Sequence, residues 1–195
     1  MPVTEWVFSR VSRKPRQKRE SVLSLWLLGW LTICAWALPL SAEAASFSAK
    51  DLQVLGRVVG FMLPPPSADA IVAIAYTPGN AASRQDAESI AALLGGELRT
   101  GKAMLRVRLM EANALGAGGF AVVIAAAGAN GPQLGASARA ARALCVTTDI
   151  EAVRAGFCTM AITSEPRIDI VVNHTVSAAT GIGFAAAFRM MIREL

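Results

Sequence analysis

Two short apolar runs, Ala70-Ile71-Val72-Ala73-Ile74-Ala75-Tyr76 and Phe120-Ala121-Val122-Val123-Ile124-Ala125, constrain this chain more than any other feature. Neither alternates with polar residues, so neither suits a strand with one wet face. Each is short and rich in β-branched side chains, the pattern of a strand covered on both faces. Such strands need helices above and below a largely parallel sheet.

The sequence between and around the runs supplies those helices. Ser48 with Asp51 three residues later forms a capping-box pattern. It opens an apolar period of Leu52, Val54, Leu55, Val58, Val59, Phe61 and Met62. The spacing predicts a helix over residues 50–62, ended by Pro64-Pro65-Pro66. After a loop at Thr77-Pro78-Gly79-Asn80, residues 82–94 read as a second helix, stopped by Gly95-Gly96. Residues 103–109 alternate apolar and basic, as a half-exposed strand does, and put Arg106 and Arg108 on one face.

Further on, residues 133–143 are a short Ala-rich helix, residues 144–148 a strand, and residues 149–155 two helical turns closed by Gly156. Residues 157–163 and 167–172 read as two strands around the turn Ser164-Glu165-Pro166. The last helix is expected over residues 176–193, with Gly181 and Gly183 as weak points. The order predicts an α/β fold, a three-layer-like sandwich with a mainly parallel sheet and an antiparallel edge hairpin.

Residues 1–45 read as a signal peptide. Arg10, Arg13, Lys14, Arg16, Lys18 and Arg19 precede an apolar stretch over residues 22–38, and Ser41-Ala42-Glu43-Ala44-Ala45 follows Pro39. Charge, apolar segment and small-residue exit are the order of a secretory leader, with the cut after Ala44. The rival reading is an uncleaved inner-membrane anchor, because residues 22–38 reach the lower length limit for a span. Lipoprotein processing at Cys34 is disfavoured by Ile33 before it. Either way the remainder, residues 46–195, is one exported domain, touching the membrane only through its N-terminal segment.

The leader also distorts the charge. Of the nineteen Lys and Arg, six lie in it, against three of the fourteen Asp and Glu; thirteen basic and eleven acidic residues follow Ala45, a balance of +2. That is no nucleic-acid footprint, which needs clustered cations. Cys145 and Cys158 are the cysteines left after the leader, and in an oxidising compartment they read as one disulfide. A zinc site would need further ligands, and His174 is the sole histidine. The residues imply no metal and no cofactor.

The C-terminal third carries a likeness. Leu144-Cys145-Val146-Thr147-Thr148-Asp149, then Ala155-Gly156-Phe157, then Arg167-Ile168-Asp169-Ile170-Val171-Val172-Asn173 resemble the YfiR-like family. Phe61-Met62-Leu63-Pro64 sits where that family ends an aromatic-rich helix before Pro. The chain departs from the pattern at Leu63, at Ala155 and at Thr180-Gly181-Ile182-Gly183. The resemblance implies a periplasmic regulatory protein, often a homodimer. Its partner would be the periplasmic domain of an inner-membrane signalling protein such as a membrane-bound diguanylate cyclase, which it would repress.

Candidate sites are few. Asn173 reads as a helix cap, with His174 beside it on the surface. Gly116-Ala117-Gly118-Gly119 and Gly128-Ala129-Asn130-Gly131 lack the spacing and the Lys of phosphate loops. No nucleophile-and-base pair is visible, so an enzyme is not expected. The reading is a binding protein, with the helix over residues 50–62 and the terminal helix as its docking surfaces. The alternative is a small-ligand binding component, with a crevice bordered by residues 77–80 and 116–119.

Overall fold

The computed structural model describes residues 46–101, 103–116 and 118–195; the predicted leader over residues 1–45 lies outside them. Ser48 opens the first helix, α1 (Ala49–Val59), through the reciprocal bonds of a capping box. Its Oγ accepts from the Asp51 N–H at 3.2 Å, and Asp51 Oδ2 accepts from the Ser48 N–H at 2.8 Å. The helix stops three residues earlier than its apolar period suggests. Met62 and Leu63 leave it to form a short strand, β1 (Met62–Leu63).

The first apolar run is strand β2 (Ile71–Tyr76), followed by α2 (Ala81–Leu94), which Asn80 caps and left-handed Gly95 ends. Then come β3 (Glu97–Arg99), β4 (Met104–Glu111), β5 (Phe120–Ala125), α3 (Pro132–Ala140), β6 (Leu144–Thr147), α4 (Ile150–Arg154), β7 (Met160–Thr163) and β8 (Asp169–Val172). The chain closes with α5 (His174–Thr180), β9 (Gly183–Phe184), α6 (Ala186–Arg189) and β10 (Arg193–Glu194).

Eight strands form one sheet in the order β10-β8-β7-β6-β5-β2-β4-β3. The run from β7 to β4 is parallel throughout. At one side β8 pairs antiparallel with β7, the expected hairpin, although β10 adds beyond it. At the other side β3 makes an antiparallel hairpin with β4. The α/β sandwich read from the sequence is therefore the fold.

The central strands contribute to both layers, as unbroken apolar runs require. Val72, Ile74, Val122, Ile124, Leu144 and Val146 face one core with Leu52 and Leu55 of α1 and Ile90 of α2. Ala73, Ala75, Val123 and Cys145 face the other, with Leu134 of α3 and Val153 of α4. The small residues on the second face let α3 approach closely. A Cβ at Gly135 would stand 2.4 Å from the Phe157 carbonyl oxygen.

Two expectations fail. Sequence periodicity misses β3: Gly95-Gly96 is read only as the stop of the second helix, whereas the two left-handed glycines turn the chain straight into a hairpin. That hairpin lies tight against α1, where a Cβ on Gly56 would be 2.3 Å from the Arg99 carbonyl oxygen. The single helix expected over residues 176–193 is instead broken into α5, β9, α6 and β10. Gly181 takes φ 71° and caps α5, and Ser177 Oγ donates to the Ile182 carbonyl at 2.5 Å. Gly183 and Phe184 then pair with Leu63 and Met62, and Arg193 and Glu194 with Val171 and Val172. Two glycines with one residue between them weaken the helix enough for long-range pairing to win.

Candidate functional site

In a sheet of this kind the crevice lies at the carboxyl ends of the strands, where successive crossovers leave in opposite directions. Here β2 continues to β4 on one side while β5 lies on its other side, so that point is between β2 and β5. It is closed by its own polar groups. Thr77 Oγ1 donates to the Gly128 carbonyl at 2.9 Å, joining the two loops. The Thr77 N–H donates to Ser83 Oγ at 3.0 Å, and the Ala127 N–H donates to Asp86 Oδ2 at 2.7 Å. Ser46 Oγ donates to the second oxygen of Asp86.

One strand further along, between β5 and β6, a cleft of about 430 Å³ opens beside Ala126, Asn130, Thr147, Asp149 and Glu151. Its polar groups are also matched. Asn130 Nδ2 donates to Asp149 Oδ2 at 2.7 Å, and Asp149 Oδ1 accepts from the Glu151 N–H at 2.8 Å. Its charged groups are both carboxylates and α4 is already capped by Asp149, so an anion finds no attraction there.

The small-ligand alternative loses one of its borders. Gly119 precedes Phe120, which pairs with Ile71 at the start of β2. It therefore lies at the amino ends of the strands, opposite Thr77–Asn80. The loop that does face Thr77 is the one holding Gly128, which sequence reasoning set aside as a mere turn.

Cys145 on β6 and Cys158, just before β7, are bonded through their sulfurs with their Cα atoms 4.8 Å apart. They are 1% and 0% exposed, beneath α3 and α4, which gives the bond a structural setting. Asn173 caps α5: its Oδ1 accepts from the Val176 N–H at 3.0 Å. Its Nδ2 also donates to the Val153 carbonyl at 2.9 Å, tying α5 to α4, a second bond the sequence did not announce. His174 is exposed beside it. Arg106 and Arg108 are exposed on one face of β4, with Glu97 opposite Arg106 in register.

No family model and no curated protein matches the chain. Among the described residues no group of three or more His, Cys, Asp and Glu gathers to hold a metal ion. Among the same residues no helix is long and apolar enough to cross a membrane. Arg84 has its pKa raised by its hydrogen bond to Glu88 and by that carboxylate's charge.

The expected docking surfaces change in detail. α1 is mostly core: Leu52, Val54, Leu55, Val58 and Val59 are buried, and only a strip with Lys50, Gln53 and Arg57 meets solvent. Exposed large apolar side chains also occur at Leu93, Met104, Leu109 and Ile168, but several stand on the two segments where the chain leaves α1 and where it ends. Phe61 and Leu63 are 37% and 52% exposed, and Met190 and Met191 are 89% and 62% exposed. The β1–β9 ribbon and the stacking of Phe61 on Phe188 bring these segments together.

Proposed function

We propose that this domain is an exported regulatory protein that acts by binding another protein. Its partner in this reading is the periplasmic domain of an inner-membrane signalling protein, a diguanylate cyclase or similar. The observation that carries the reading is the exposure of Phe61, Leu63, Met190 and Met191 on two segments that the β1–β9 pairing and the Phe61–Phe188 stack join. Exposed large apolar side chains on adjoining segments mark contact sites, and methionines suit adaptable ones. The likeness of Arg167 through Asn173 to the YfiR-like pattern supports the same class. A buried disulfide suits an oxidising compartment.

The test is crosslinking of the tagged full chain in intact envelopes, followed by identification of what it captures. Capture of a membrane protein with a cytoplasmic cyclase domain, lost on Met190→Glu together with Leu63→Glu, supports the reading. Unchanged cyclic-di-GMP on deletion of the protein sinks the cyclase as target. Capture that the two substitutions leave intact removes the proposed surface.

A further inference from the structure

At the amino ends of β2 and β5, opposite the closed carboxyl-end loops, lies a groove of about 480 Å³. That is within the size range of small-molecule sites, about 300–1,000 Å³. Its lining includes Met62, Phe120 and Ile182, which are 4%, 7% and 6% exposed, with Pro65 and Arg142. Asp69 is in the same lining.

Arg142 is placed unusually. Among the described residues it is the one non-glycine with φ in the left-handed region, at 52°. It follows the last turn of α3: its N–H donates to the Arg139 carbonyl at 3.0 Å, and the Ala143 N–H donates to the Ala138 carbonyl at 2.9 Å. Glycine is the residue this turn favours, because a Cβ there crowds the backbone. Neutralising the helix end does not require Arg142, since Arg139 already stands in the last turn. Among the described residues the Arg142 guanidinium makes no hydrogen bond and no ion pair. A strained backbone holding an unpaired cation in the lining of a groove that also holds Met62, Phe120 and Ile182 points to use of the side chain.

We propose that this groove binds a small monocarboxylate with an apolar body. Arg142 takes the carboxylate by charge-assisted hydrogen bonds, and Met62, Phe120 and Ile182 take the body. Asp69 disfavours a second negative charge on the ligand. The site adjoins the protein-binding surface argued above, since Met62 lies between Phe61 and Leu63, but the proposal stands or falls without that reading.

The test uses protein purified from expression of the full chain, with 3-phenylpropionate as the probe in millimolar excess. Uncharged 3-phenyl-1-propanol and doubly charged succinate are the controls. The probe is expected to raise the thermal midpoint by about 2–4 °C or more, and the controls to do markedly less. Arg142→Gly and Arg142→Asn, both at ease in the left-handed region, are expected to keep or raise the unliganded midpoint and to abolish the shift. A probe that shifts nothing, or shifts the variants equally, overturns the proposal. So does a large drop in the variants' own midpoints, which would mean that Arg142 is kept for stability.

Discussion

The ring of Phe61 stacks on that of Phe188, with centroids 5.6 Å apart and planes within 14°. The contact joins the end of α1 to α6, segments from opposite ends of the domain's sequence. Phe184 adds a tilted contact to Phe188 at 5.2 Å. Phe188 is 2% exposed and Phe61 37% exposed, so the two partners differ in what they contribute. Phe188→Ala is expected to cost about 3–5 kcal/mol, as for buried aromatics. Phe61→Ala should cost about 1 kcal/mol, mainly the ring contact. Urea titrations of both variants check this, and equal costs would mean that Phe61 is buried in solution by something more.

Gly56 lies inside α1, where helix propensity alone says that alanine would stabilise by about 1 kcal/mol. The new Cβ would stand 2.3 Å from the Arg99 carbonyl oxygen, a backbone atom that moves only with the hairpin. Gly56→Ala is therefore expected to destabilise, by about 1–3 kcal/mol, as overpacking does. Gly135→Ala, 2.4 Å from the Phe157 carbonyl oxygen, should behave alike. Thermal denaturation gives the sign, and a stabilised variant would show that the hairpin stands further from α1.

Asn173 offers a finer discrimination. Asn173→Ala removes both the cap on Val176 and the bond to the Val153 carbonyl, and should cost about 2 kcal/mol. Asn173→Asp keeps the cap but sets a carboxylate against that carbonyl, so most of the loss should remain. If the aspartate restores full stability in chemical denaturation, the bond to Val153 is unimportant. His174→Ala, at an exposed site, is expected to change little.

Removing the Cys145–Cys158 bond by a double Cys→Ala substitution should cost about 3 kcal/mol on loop-closure grounds. Because both sulfurs are buried, a reductant should act on the native protein only through unfolding. Reduction rates that track the unfolding rate bear this out; rapid reduction without loss of structure would show that the bond opens locally.

Local signals were enough for those parts of the fold whose contacts are local or whose burial is complete. Ser48 and Asp51 encode the start of α1 through bonds three residues apart, and the runs at Ile71–Tyr76 and Phe120–Ala125 encode strands because both faces of each are buried. The candidate site was less legible. Exposure of Met190 and Met191 depends on where the terminal segment docks, and Arg142 shows its left-handed backbone only in three dimensions.

The sequence by itself determined the class of the domain: buried parallel strands, the helices that cover them, and the cysteine pair that could be joined. Tertiary structure alone decided the last twenty residues. A helix over 176–193 satisfies its own backbone locally, but Gly181 and Gly183 make it weak. The same backbone groups gain more by pairing with Met62–Leu63 and with β8 while Phe184 and Phe188 enter the core. Pairings of two residues between segments far apart in the chain leave no periodic trace, so only the folded neighbours reveal them.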